Sequence, residues 1–366
     1  MSREVISITD VKVSAYTVPT DAPEADGTFE WNSTTMVLAE ISAGGSTGIG
    51  YTYSAAATAT LSDEVLSEVI IGSDAMSVAS IHRAMQRRIR NLGSGGLARM
   101  AVSAADSALW DLKARLLEIP LVDLLGRARE RVPIYGSGGF TSYDNKRLAN
   151  QLSGWVEQGI PRVKMKVGAN PSEDMDRVRV ARKAIGGEAE LMVDGNGALD
   201  RKHALEFMHA AAAECGVNWM EQPLAPEDRD GARLLRDRSP VGMEIADGEY
   251  AALPCDFLAL IRAGAADVLM PDMTRCGGVT GLLEAAAVCA AEGIPISTHC
   301  APASHLHPAS AVPGLRHAEY FHDHVRIESM FFDGVPSPVD GAISPDLSAP
   351  GNGLVFRRRD AEPFAL

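Results

Sequence analysis

From Val132 onward the chain repeats one pattern: a short apolar, β-rich run, then a helical stretch rich in Ala, Arg and Glu. The runs are VPIYGS, RVKMKVG, LMVDGNG, NWMEQP, MEIADGE, DVLMPDM, PISTH and a weaker AEYF. Strands that alternate with helices bury both faces of a parallel sheet, so the pattern predicts βα units. Eight candidate strands over about 200 residues suit a closed (β/α)8-type barrel. A doubly wound open sheet is the rival, but no Gly-x-Gly-x-x-Gly follows a first strand.

Ahead of the repeat lies a unit of different grammar. Residues 11–16 alternate, residues 36–41 are mostly β-branched or apolar, and GIGYTYS at 48–54 follows a Gly-Gly turn. Three strands are expected there. From Leu97 to Leu117 apolar residues recur every three or four positions, which predicts a helix. The expected organisation is an α+β unit over residues 1–128, a barrel over 129–349, and a tail, 350–366, that returns to the first unit.

Charge and cysteine usage narrow the function. With 34 basic and 48 acidic residues the net charge is −14, which repels phosphate backbones and argues against a nucleic-acid partner. An anionic substrate would need a local positive centre, from a metal or from lysines. No apolar run of about 18 residues exists, so no membrane span is expected. The opening MSREVISITD is charged and lacks the apolar core of a leader. The five scattered cysteines contain no Cys-x-x-Cys pair and read as reduced thiols of a cytoplasmic protein.

Nearly every barrel run carries an ionisable residue near its end: Lys164 and Lys166, then Asp194, Glu221, Glu249, Asp272, His299 and Glu319. They recur about one βα unit apart, roughly 25 residues, which places them together at the barrel mouth. Three convergent carboxylates, Asp194, Glu221 and Glu249, repel one another unless a divalent cation sits between them. All-oxygen ligation favours Mg²⁺. Asn196, two residues beyond Asp194, is expected to share its strand face. Lys164 and Lys166 share a face by the same rule, and their mutual repulsion is expected to lower a lysine pKa toward that of a general base. Asp272 and His299 form an expected acid/base dyad. Glu319 would hydrogen-bond a developing oxyanion if it keeps its proton. Five other histidines, His305, His307, His317, His322 and His324, are assigned structural roles.

These residues resemble the enolase superfamily, specifically its mandelate racemase subgroup. The carriers are ADSALWDLKA at 105–114, KMK at 164–166, VDGN at 193–196, MEQP at 220–223, DGEY at 247–250, PDMTRCGGVTG at 271–281, ISTHC at 296–300 and AEYFHDHVRIE at 318–328. The resemblance implies a modified (β/α)7β TIM barrel under an α+β capping domain, Lys166 as base, and Mg²⁺ on Asp194, Glu221 and Glu249. Glu249 is preferred over Asp247 as third ligand because the family's ligand follows a Gly. Asp272 in place of a Lys points away from the muconate-lactonising and dipeptide-epimerase branches. The family also implies a homo-oligomer.

The expected reaction is α-proton abstraction from a small hydroxy carboxylate. With a β-hydroxyl present, His299 would expel water and yield a 2-keto-3-deoxy acid. Without one, the same groups would racemise or epimerise a 2-hydroxy acid. A catalytically silent binding protein is the alternative of another class. The segment at 20–31, TDAPEADGTFEW, is expected to be a loop covering the substrate. Its Asp21, Glu24, Asp26 and Glu30, with Tyr51 and Tyr53 nearby, suit a polyhydroxy acid, and so favour dehydration of an acid sugar.

Overall fold

The computed structural model describes residues 5–366. Strands β1 (Ile8–Ala25), β2 (Glu30–Ala43) and β3 (Ser46–Tyr53) form an antiparallel sheet in that order. The helix Gly96–Leu116 lies directly on β3. A Cβ on Gly48 or Gly50 would collide with the helix backbone between Ala104 and Leu112, so glycine is required for this approach. Small residues on the helix, Ala101, Ala104, Ala105 and Ala108, complete the close packing.

The barrel is built from β4 (Val132–Gly138), β5 (Arg162–Lys166), β6 (Glu190–Asp194), β7 (Val217–Glu221), β8 (Glu244–Asp247), β9 (Val268–Leu269), β10 (Ile296–Thr298) and β11 (Leu315–Phe321). They are parallel neighbours in chain order, and β11 pairs back onto β4, with Ala318 opposite Ile134, to close the ring. Tyr135, Met192, Trp219, Ala246, Val268 and Met270 fill its interior. A principal helix follows each of the first seven strands on the outside. The helix after β11, His322–Phe331, turns instead to the cap: Ile327 and Phe331 pack with Tyr16, Met36 and Leu38. The architecture is therefore a (β/α)7β barrel with an N-terminal antiparallel-sheet domain.

The chain end also meets the cap. Val355–Phe356 pairs with Phe332–Asp333, and the Leu366 N–H donates to the Ala15 carbonyl at 3.0 Å. Among the described residues no helix is long and apolar enough to cross a membrane.

The segment at 20–31 differs from expectation. Most of it is strand, and the turn is confined to 26–29. Asp26 Oδ1 accepts the N–H groups of Thr28 and Phe29, which tightens the turn. The Trp31 indole donates to Glu24 across the hairpin at 2.9 Å and packs edge-on against Phe140 at the barrel mouth. Thr141 then bonds Ala25 and Asp26 through its N–H and hydroxyl. These contacts hold the hairpin tip against the barrel.

Candidate active site

The parallel ladder sets Lys166 opposite Asp194 and Asp194 opposite Glu221, so these three side chains end their strands at one height. The third carboxylate arrives differently. Glu221 stands opposite Ala246, and Glu249 lies two residues beyond the end of β8. Gly248, at φ +113°, adopts a backbone that favours glycine at this turn. Asp194, Glu221 and Glu249 are all buried, and each offers an oxygen within 4.8 Å of the others. Glu249 Oε2 is buried with no hydrogen-bond partner. Three carboxylates and an orphaned buried oxygen fit a hard divalent cation. Asp247, the rival ligand, accepts the Gly248 N–H at 2.5 Å and lines a separate small cavity with Arg229 and Asp256.

The lysines correct the sequence-based expectation. Burial alone lowers a lysine pKa, but the surrounding carboxylates outweigh it and hold both Lys164 and Lys166 above their ordinary value. Lys166 Nζ lies 2.6 Å from Asp194 Oδ2. Lys164 Nζ lies 3.3 Å from Asp194 and 2.8 Å from Glu319, and also pairs with Glu221. Their mutual repulsion is the smaller effect. Burial raises the Asp194 pKa, but Lys166 and Lys164 override it and bring the group to about 2. Burial and the Asp194 charge push Glu221 up.

Asp272 and His299 meet beyond their strand ends. The His299 Nδ1–H donates to Asp272 Oδ2 at 2.8 Å, and His299 Nε2 lies 3.4 Å from Glu249 Oε2. Burial raises the Asp272 pKa, but the His299 bond and the His299 and Arg275 charges hold it well below the usual carboxylate range. The loop carrying Asp272 is gripped from the cap. Arg99 donates to the Cys276 carbonyl at 2.6 Å, Thr52 to that of Thr274 at 2.8 Å, and Ser103 Oγ accepts the Gly277 N–H at 2.8 Å.

Glu319 also departs from expectation. Its carboxylate accepts from Ser137 Oγ at 2.6 Å and from the Cys300 N–H at 2.9 Å. Burial raises its pKa, but Lys164, His299 and Lys166 drive it well below normal, against the expected retention of its proton.

Residues 8–126 match the family model for the mandelate racemase / muconate lactonizing enzyme N-terminal domain, and residues 147–361 match the enolase C-terminal domain-like model. The chain belongs to the mandelate racemase/muconate lactonizing enzyme family of the enolase superfamily. It is 34% identical over 319 residues to the 3,6-anhydro-alpha-L-galactonate cycloisomerase of Streptomyces coelicolor, covering 85% of this chain and 86% of that protein. A mandelate racemase/muconate lactonizing enzyme-like protein from Rubrobacter xylanophilus superposes with a TM-score of 0.96 at 52% identity, covering 98% of this chain and 100% of that one. The L-talarate/galactarate dehydratase of Salmonella typhimurium LT2, liganded with Mg and L-lyxarohydroxamate, superposes with a TM-score of 0.91 at 27% identity, covering 100% of this chain and 95% of that one.

In this member of the family, a cavity of about 520 Å³ lies between the barrel mouth and the cap, lined by Lys166, Asn196, Glu249 and His299. Asn196 reaches it by a different route from strand alternation. It lies past the end of β6 at φ +44°, with its N–H on Asp194 Oδ1 at 3.0 Å. Non-glycine residues with positive φ recur at this mouth, at Gln222, Cys300 and Ala301, where backbone strain is held by the surrounding structure.

Three expected substrate contacts do not line the cavity. Tyr51 is buried between cap and barrel, where its hydroxyl donates to Glu328 at 2.7 Å. Asp21 pairs with Arg147 at 3.1 Å and His322 at 3.3 Å. Glu24 is buried under Trp31. Tyr53, Asp26, Trp31, Arg275 and His324 line the cavity instead. Arg275 and Trp31 sit inside quoted motifs, but no periodicity distinguishes them; only the folded hairpin and loop turn them inward.

Burial, then the charge of Asp323, raises Glu24 to about 8 from an ordinary 4.5. The fold therefore favours protonated Glu24, a contribution complete below about pH 4.5 and lost as pH rises through about 8. Glu24→Gln is expected to flatten that slope and to be the more stable protein above pH 8, by on the order of 3 kcal/mol. Thermal unfolding from pH 4 to 9 checks this.

Proposed function

We propose that this chain is a Mg²⁺-dependent acid-sugar dehydratase that removes the α-proton of a polyhydroxy carboxylate and eliminates its β-hydroxyl. Residues 129–349 would carry the chemistry and residues 1–128, with the tail 350–366, would form the cap. The observation that carries the reading is the convergence of three buried carboxylates on a cavity that Lys166 and His299 also line. Relatives named for anhydrogalactonate, talarate and galactarate support sugar acids as the substrate class.

Asp194, Glu221 and Glu249 would hold Mg²⁺, which when bound offsets the negative charge that develops on the substrate carboxylate. Lys164, oriented by Glu319, adds a second positive contact for that carboxylate. Lys166, in its neutral form, takes the α-proton; the Asp194 charge that otherwise holds it protonated would be shared with a bound cation, which favours that neutral form. The electron pair of the broken C–H bond is first held on the substrate carboxylate as an enolate, and then forms the carbon–carbon double bond as the β-hydroxyl departs. His299, its Nδ1–H on Asp272, donates from Nε2 so that the hydroxyl leaves as water. The resulting enol takes a proton at C3 and becomes the 2-keto-3-deoxy acid.

The relative named 3,6-anhydro-alpha-L-galactonate cycloisomerase supports a second outcome of the same proton abstraction, opening of an anhydro ring in which the ring oxygen leaves in place of hydroxide. Racemisation is the outcome where no β-leaving group exists. A sugar-acid library with Mg²⁺, read for 2-keto product and for α-deuterium uptake, separates these. Keto acid supports dehydration or ring opening, deuterated but unaltered acid supports racemisation or epimerisation, and neither signal would refute the reading. The five free cysteines fit a cytoplasmic enzyme, and the proposed enzyme is a homo-oligomer, which light scattering would test.

A further inference from the structure

The cavity differs in charge between its two ends. The barrel end holds Lys166, His299 and Glu249. The cap end is lined by Asp26, Trp31, Ser33, Thr34 and Ser54, and among the described residues no lysine or arginine lines it. Arg275, the arginine of the cavity, belongs to the barrel end. It lies 3.5 Å from both Glu249 and Asp272 and stacks on Tyr250. Arg147, which reaches the hairpin, is engaged by Asp21 and lies over the Tyr143 ring, outside the cavity. At the cap end Asp26 uses Oδ1 for Thr28 and Phe29, while its Oδ2 has no partner among the described residues. The Ser33 and Thr34 hydroxyls likewise have no protein partner there.

We propose that the substrate is a monoacid, an aldonate or its anhydro form, with a neutral hydroxylated end under the cap. This rests on the sugar-acid reading above. A second carboxylate at the cap end would lose its water without meeting a cation, and Asp26 would repel it. A hydroxyl there can donate to Asp26 and exchange hydrogen bonds with Ser33 and Thr34.

The test is calorimetric titration, with Mg²⁺ present, of aldonate and aldarate pairs matched in carbon number and configuration. It is run on the intact protein and on Lys166→Ala, whose ligands are not consumed. Aldonates are expected to bind at least ~30-fold tighter, with kcat/KM in the same order. Aldarates that bind as tightly or more tightly overturn the proposal, and so does binding of neither class. An aldonate preference without α-proton exchange would defeat the dehydratase reading and leave this one standing. Ser33→Arg, at an exposed position, is expected to narrow the ratio about 10-fold by supplying the missing cation. An unchanged ratio would assign the preference to shape and overturn the electrostatic argument.

Discussion

Asp194→Asn is expected to lower α-proton exchange in D₂O by at least ~10³-fold, and EDTA is expected to abolish exchange in the parent protein. Asp194 has two partners of opposite need. Its oxygen lies within 4.8 Å of those of Glu221 and Glu249, and it also pairs with Lys166 at 2.6 Å. Asparagine keeps the shape but removes the charge that both a cation and the lysine use. Thermal unfolding supplies a readout independent of turnover. Mg²⁺ at about a hundred times its Kd should stabilise the parent by about 2.7 kcal/mol. The Asn variant should show little of that shift. Undiminished exchange in Asp194→Asn, or a parent protein indifferent to millimolar Mg²⁺, would take the three carboxylates out of the chemistry.

The second large effect separates the base from the acid. Lys166→Ala is expected to lose both exchange and dehydration, by roughly 10²–10⁴-fold, the range of a positioned general base. The fold should survive, because Lys164 still faces Asp194 at 3.3 Å, so the carboxylate that Lys166 pairs with keeps a cation. His299→Asn is expected to lose dehydration by a similar factor while exchange continues, since proton removal precedes departure of the hydroxyl. Circular dichroism checks that both variants fold. Equal loss of exchange and dehydration in His299→Asn would assign proton removal to the histidine, and full turnover in Lys166→Ala would remove the lysine from the reaction.

Much of the barrel was legible because its signal is periodic. Each strand had to be apolar to lie in a buried parallel sheet, and each βα unit has nearly the same length, so the polar residues at the strand ends stood out. The ladder confirms this for Lys166, Asp194 and Glu221, which are register partners. Glu249, Asp272, Asn196 and His299 lie past their strands, and loop backbone rather than strand alternation brings them in. The pairing between Lys166 and Asp194 crosses from one strand to the next, so a lysine pair read in isolation carried the wrong sign of pKa shift.

The hairpin shows the other limit. Its acidic residues form one run in the chain, yet they separate in space. Asp21 faces Arg147, Glu24 lies beneath Trp31, and only Asp26 among the three lines the cavity. Tyr51 and Tyr53, two residues apart on β3, share a face and their rings touch edge to face at 5.9 Å, yet their hydroxyls end in different surroundings. One meets Glu328 in the domain interface and the other lines the cavity beside His324.

What the sequence alone determined was the barrel, the cap that precedes it, and the chemical types gathered at the mouth, because hydrophobic period and motif spacing are local properties of the chain. What only the tertiary structure decided was the direction in which the lysines and Glu319 are shifted, the residues that face the cavity from the cap, and, among the described residues, the lack of a lysine or arginine lining that end. Each of these depends on distances between segments far apart in the chain, and electrostatic energy is set by those distances rather than by order along the backbone.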